Sequence, residues 1–185
     1  MKKIELNIIA LANAESSPGN YALILEEQKG FRRLPIIIGA FEAQAIAVSL
    51  ERMQPNRPLT HDLFKKTLDQ SGVQINSVLI SALTEGTFYA LLIGQKADGT
   101  SLEVDARTSD AIALAVRYGC PIFTTEEILQ EAGTVLDSPS KAFTNKRGSL
   151  SEYSLEELEQ LLVQVLAKED YESASRIRDA IDQKK

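Results

Sequence analysis

The sequence predicts an α+β fold: mixed, mainly antiparallel sheet with helices packed on it, followed by a C-terminal helical hairpin. Three observations predict it. Strand-like runs come in consecutive groups joined by short turns, the order that antiparallel pairing requires. Helix-periodic segments lie between those groups rather than after every strand, which separates α+β from α/β. The composition, 44% hydrophobic and 25% charged over 185 residues, is that of an ordinary globular chain and excludes wholesale disorder.

The elements follow in order. Ile4-Glu5-Leu6-Asn7-Ile8 alternates apolar and polar residues, as a half-buried strand does. Ser16 to Asn20 is a turn, Tyr21 to Leu25 a returning strand, and Leu34 to Ile38 a fully apolar strand ended by Gly39. Phe41 to Met53 reads as a helix, stopped by the Pro55–Pro58 stretch. Thr60 is the expected cap of a second helix running to about Ser71, with Leu63, Phe64 and Leu68 on its apolar side. Val73–Leu83, Thr87–Gly94 and Ser101–Ala106 are strand-like and separated by hairpin-type turns. A third helix runs from Thr108 or Ser109 to about Tyr118. Pro121-Ile122-Phe123 is a brief strand, and a capping box at Thr124-Thr125-Glu126-Glu127 opens a last helix. The order β-β-β-α-α-β-β-β-α-β-α hints at two related halves, without a detectable sequence repeat.

Composition changes after Ala132. Residues 1–132 form the expected main domain, 133–153 a polar linker with Gly, Pro and Ser, and 154–185 a short helical module. In that module Leu155, Leu158, Leu161, Leu162 and Val165 form one apolar stripe, and Tyr171, Ala174, Ile177, Arg178 and Ile181 a second. Each helix has a single apolar face, so the pair is expected to pack as a hairpin and against a partner.

Charge narrows the function classes. The net charge is −6, and neither part of the chain has the basic surplus of a protein built to grip nucleic acid by its phosphates. Any contact with a polynucleotide is therefore expected to be local and weakly held. No apolar stretch approaches the roughly 20 residues of a bilayer span, and the N-terminus does not read as a signal peptide, so a cytoplasmic protein without membrane contact is expected. A single cysteine, Cys120, and a single histidine, His61, exclude the usual zinc sites. Cys120 is expected to be a buried, inert side chain.

Three stretches carry more polar chemistry than the fold requires. They are Gly39-Ala40-Phe41-Glu42-Ala43, Arg57-Pro58-Leu59-Thr60-His61-Asp62 and Asp105-Ala106-Arg107-Thr108-Ser109-Asp110. Two of them are helix starts beside an arginine, a suitable cradle for a phosphate oxygen. Asp62, Asp105 and Asp110 could gather a divalent cation, and His61 could serve as a general acid or base, the role for which imidazole is most often used. Equally, Arg107 and Arg117 could pair with Asp105, Asp110 or Glu42 and merely organise the edge of the core. Spacing alone does not separate these alternatives.

Leu34-Pro-Ile-Ile-Ile-Gly39, Glu42-Ala43, Arg57–Asp62, Thr87–Ala90, Asp105–Ala115, Arg117 and Pro121-Ile122 together resemble the bifunctional nuclease domain family, in order across about residues 4–132. Thr108 departs from the family pattern, which usually has proline there, and is expected to cap its helix instead. The resemblance implies hydrolysis of DNA or RNA, and the residues at its distinctive polar motifs are expected to converge in one cleft, in which Glu42, His61, Asp62, Asp105 and Asp110 carry catalysis. Arg57, Thr60, Arg107, Ser109 and Arg117 would then hold phosphate, and Asp105 with Asp110 would hold Mg²⁺ or Mn²⁺. Glu169 to Ile181 resembles the UVR motif, a protein-docking helical hairpin, which implies partner contacts through Leu158, Leu162, Tyr171 and Arg178. A homo-oligomer, dimer or higher, is expected because a small domain has strand edges and apolar faces to cover. The alternative is a non-catalytic regulatory protein that binds a small anion or a peptide.

Overall fold

The computed structural model describes residues 2–14, 17–28, 30–135 and 181. The chain divides into two units, Met1–Pro139 and Ser140–Lys185. The expected hairpin, with Leu158, Leu162, Tyr171 and Arg178, lies outside the described residues, as does most of the expected linker.

Two antiparallel meanders make most of the fold. The first is β1 (Lys3–Asn13), β2 (Asn20–Glu27) and β3 (Arg32–Gly39); the second is β4 (Val73–Thr84), β5 (Thr87–Lys96) and β6 (Ser101–Arg107). Helices α1 (Ala40–Leu50) and α2 (Thr60–Gln70) follow the first meander, and α3 (Thr108–Tyr118) follows the second. Strand β7 (Ile122–Thr125) then enters between the meanders, parallel to β4 and antiparallel to β1. After α4 (Glu126–Ala132), a two-residue strand β8 (Thr134–Val135) pairs with Arg32 and Arg33 of β3. One eight-stranded sheet results, ordered β6-β5-β4-β7-β1-β2-β3-β8. Each three-strand ribbon is followed by helices, α1 and α2 after the first and α3 after the second.

The sequence places most elements correctly and misjudges several ends. Strand β1 extends to Asn13, well past the alternating run, because its far half remains paired with β2 across a bulge between Ile8 and Ala10. Helix α1 stops at Leu50, not Met53: Glu51 caps it and Arg52 turns left-handed, with φ 53°. The turn between β4 and β5 has positive φ at both Glu85 and Gly86, the twist-matched hairpin geometry. Residues Thr134 and Val135, expected to begin the linker, form β8 instead.

The core lies where the helices cover the sheet. Leu23, Leu25, Leu34, Ile46, Val78, Ile80, Ile112 and Leu129 are all fully buried. Burying a branched side chain of this size stabilises the fold by about 2 kcal/mol. Helix α3 is central: Ala111, Ile112, Ala113, Leu114 and Ala115 are buried in succession. Its alanines let α1 on one side and β4 and β5 on the other approach closely. Helix α2 contrasts with it. None of its residues is fully buried, and Leu63 and Phe64, expected on a packed face, are exposed. Among the described residues, no helix is long and apolar enough to cross a membrane.

Candidate active site

Three helix starts converge on one chain of ionic contacts. Strand β6 ends at Arg107, whose extended backbone makes it the N-cap residue of α3. Its guanidinium therefore leaves the sheet edge where α1 and α2 also begin. Arg107 Nη1 donates to Glu42 Oε1 at 3.0 Å, in the first turn of α1. Its Nε and Nη2 donate to the two carboxylate oxygens of Asp110, at 2.7 and 3.2 Å. Asp110 Oδ1 also meets His61 Nε2 at 3.1 Å, in the first turn of α2. The relay Glu42–Arg107–Asp110–His61 thus joins residues from all three expected stretches.

Local chemistry explains the geometry. Asp110 lies three residues beyond Arg107, one helical turn on, so the two meet as an i,i+3 pair. Burial opposes ionisation of Asp110, yet the hydrogen bonds from Arg107 and His61 outweigh it and hold its carboxyl below the usual range. Gly39 is the extended residue just before α1, and a Cβ there would run into Glu42 Oε2. The absence of a side chain at Gly39 leaves room for the Glu42 carboxylate. In the sequence, Gly39 reads only as a strand end.

A cleft of about 910 Å³ opens on this relay. Its polar wall carries Glu42, Thr60, His61, Asp105, Arg107 and Asp110. Its apolar wall includes Phe41, Leu59, Phe64 and Val104, all exposed, with Phe41 at 84%. The expected apolar side of α2 therefore lines a cleft at Phe64 rather than packing into the core. Arg107 keeps 67% of its side-chain surface exposed despite its three bonds, so it can reach a ligand oxygen. A second cleft, of about 490 Å³, lies across the Arg107–Glu42 pair and is lined by Ser109, Thr108 and the ends of β3 and β5. Strands β3 and β6 are near opposite ends of the sheet order yet share that cleft, so the sheet curls back towards itself.

The remaining expected residues are placed differently. Asp62 and Arg117 form their own pair at 2.6 Å, away from the relay. Arg117 Nη1 also donates to the carbonyls of Ala45 and Ala113, tying α1, α2 and α3 together. Arg57 is exposed and lines neither of the two clefts at the relay. Thr60 does not cap α2: it is the first helical residue, Leu59 is the N-cap residue, and Asp62 accepts from the Leu59 N–H at 2.9 Å. The carboxylate at N3 satisfies the N–H of the N-cap residue, a different donor from the one a capping hydroxyl would meet. Thr108 does not cap α3 either; it is buried and donates to the Phe88 carbonyl at 2.9 Å, fastening the helix start to β5. At α4 the cap is Thr125, whose hydroxyl accepts from Ile128, while Thr124 is buried against the Ile80 carbonyl. Cys120 is half-buried rather than fully enclosed, and burial raises its thiol pKa, consistent with an inert side chain.

Asp105 and Asp110 do not form a ready-made cation site. Both Asp110 oxygens already accept from Arg107, and one accepts from His61. Among the described residues, no three His, Cys, Asp or Glu side chains are grouped as metal ligands. A cation at this position would have to displace the guanidinium.

Comparison with known proteins adds the family context. A family model described as the bifunctional nuclease domain matches residues 23–137, which include the whole relay. An uncharacterized protein of Mycobacterium tuberculosis is 39% identical over 136 residues, covering 74% of this chain and 80% of its own length. Two Arabidopsis thaliana proteins are each 28% identical. Bifunctional nuclease 2 matches over 123 residues, 63% of this chain and 37% of that protein. Bifunctional nuclease 1 matches over 104 residues, 55% and 32%. The matched region thus spans about a third of either plant protein.

Proposed function

From a chain that belongs to the bifunctional nuclease domain family, we propose a nuclease that hydrolyses phosphodiester bonds in DNA or RNA at the cleft beside α1, α2 and α3. The observation that carries this is the relay Glu42–Arg107–Asp110–His61, which opens on a cleft large enough for a nucleotide. Arg107 holds a phosphate oxygen through its exposed guanidinium, with Glu42 and Asp110 fixing its direction. Asp110 accepts from His61 Nε2, which leaves Nδ1 to take a proton from the attacking water. Water oxygen bonds to phosphorus, the phosphorus–oxygen bond to the leaving strand breaks, and the proton held on His61 is returned to that oxygen. Asp105, exposed in the cleft wall, orients the water. Thr60 and Ser109 lie at helix starts on either side and contribute backbone N–H groups to flanking phosphates. None of these steps runs through a cation; Mg²⁺ or Mn²⁺ would reach Asp105 and Asp110 only by displacing the Arg107 guanidinium, and would then polarise the phosphodiester in its place.

The C-terminal UVR-like hairpin docks a protein partner through Leu158, Leu162, Tyr171 and Arg178, and chains associate through the exposed apolar side chains around Phe41 and Phe64. The second reading, a non-catalytic anion- or peptide-binding regulator, draws on the mutual pairing of Glu42, Arg107 and Asp110, since fully paired groups also serve a scaffold.

The test is hydrolysis of single- and double-stranded DNA and RNA by highly purified protein, with Mg²⁺, Mn²⁺ or EDTA. His61→Ala is expected to lower the rate at least about 100-fold, and Asp105→Ala to lower it measurably. Cleavage by both variants at the parental rate removes the nuclease reading and leaves the regulator.

A further inference from the structure

A separate cleft of about 780 Å³ lies between the α1–α2 loop and the opposite flank of α2. Its charge differs from that of the relay cleft. Arg52, Lys65, Lys66 and Arg117 line it against only two carboxylates, Asp62 and Asp69. The relay cleft has three carboxylates, Glu42, Asp105 and Asp110, against Arg107 alone. In a chain of net charge −6, this is a local basic surplus.

The cations of this cleft divide by how they are occupied. Lys65 is bound to Asp69 at 2.7 Å and lies over the Tyr118 ring. Arg52 and Lys66 make no ion pair among the described residues and are exposed. Arg117 forms part of the wall with only 5% of its side chain exposed. Its Nε and Nη1 are satisfied, but Nη2 is buried with no acceptor among the described residues. A buried guanidinium N–H without an acceptor is an unsatisfied demand for an oxygen. Arg52 is held with φ 53°, a conformation that disfavours a side chain, which nonetheless sets a guanidinium at the cleft rim.

We propose that this cleft is a phosphate-binding site, in which Arg52 and Lys66 grip the anion above a wall formed by Arg117. The ligand is a phosphate group, either on a polynucleotide strand or on a small phosphate. Pro58 lines both this cleft and the relay cleft, and His61 and Asp62 are consecutive residues facing one cleft each. A strand crossing Pro58 would therefore place one phosphate among cations while a neighbour meets Arg107. The strand assignment rests on the nuclease reading; the anion site does not.

The experiment uses the full chain and the variants Arg52→Gly and Lys66→Gln, singly and together. Glycine suits the left-handed backbone at position 52, so loss of binding there is separated from loss of folding. Lys3→Gln with Lys96→Gln, on exposed positions outside the cleft, matches the change in net charge. Binding of pyrophosphate is measured by calorimetry, and binding of a labelled single-stranded oligonucleotide by anisotropy across salt concentrations. The double cleft variant is expected to weaken oligonucleotide binding about tenfold and to reduce the salt slope by about one to two, with the control pair near the parent. Loss confined to pyrophosphate supports the site and assigns it to small phosphates. Binding of both probes at parental strength by the cleft variants overturns the proposal. Hydrolysis is read separately, so a parent that binds but does not cut fails the nuclease reading alone.

Discussion

Arg117 donates to Asp62 at 2.6 Å from a side chain that is almost wholly buried, while Asp62 simultaneously accepts from the N–H of Leu59, the N-cap residue of α2. One carboxylate thus caps a helix and neutralises an enclosed guanidinium. Asp62→Ala removes both functions and leaves a buried charge uncompensated, so a loss of about 3 kcal/mol in unfolding free energy is expected. Urea titration measures it; a loss below about 1 kcal/mol would show that the pair does not hold α2 to α3.

Acid should expose the same dependence. Asp62 and Asp110 both have carboxyls held below their ordinary range; in each, burial opposes ionisation and the hydrogen bonds from arginine overcome it. A depressed folded-state pKa means that folding sheds protons, so the stabilisation is complete above about pH 4, the unfolded-state value, and is lost as pH falls through the lower folded-state values. Urea midpoints are expected to be nearly flat from neutrality to about pH 5 and to fall below it. Asp62→Asn with Asp110→Asn should lower the neutral plateau and flatten the acid limb; an unchanged acid limb would assign acid sensitivity elsewhere.

Gly39→Ala tests the seating of Glu42. The backbone at Gly39 is extended and suits any residue, so the new methyl group acts only through its clash with the Glu42 carboxylate. The flexible carboxylate moves rather than the strand, and Arg107 keeps Asp110 while losing its second partner. Stability is expected to change by less than about 1 kcal/mol, while any turnover falls several-fold through a raised KM. A fall as large as that of Glu42→Ala would mean that the backbone had moved too.

Thr108 separates a helix-start role from a sheet-fastening role. Thr108→Val keeps the volume but removes the donor to the Phe88 carbonyl, and about 1 kcal/mol of stability is expected to go with it. Thr108→Pro suits the first turn of a helix and should recover part of that loss. Thermal unfolding of both variants checks the order; if valine is neutral, the hydroxyl bond contributes nothing.

The sheet elements are legible in the sequence because alternation and turn chemistry act locally: Glu85-Gly86 needs no tertiary partner to favour a hairpin. The caps are not, because Thr60, Thr108 and Thr124 each sit one residue away from the cap position, and a shift of one residue leaves no trace in the sequence pattern. The meeting of Glu42, His61, Arg107 and Asp110 is foreshadowed by three polar helix starts, but which arginine joins which acid depends on tertiary approach. Arg117 therefore goes to Asp62 rather than to the relay. The basic cleft leaves no local trace, since Arg52 and Lys66 are ordinary surface residues until the α1–α2 loop folds beside α2.

The insertion of β7 between the two meanders makes completion of the sheet a late event in the life of the chain. Val78 and Leu79 must wait for Ile122 and Phe123, and β1 must wait longer still for Thr124 and Thr125. Until then each ribbon exposes an unpaired inner edge, so a nascent chain halted before Ile122 carries two adhesive borders and no means of joining them.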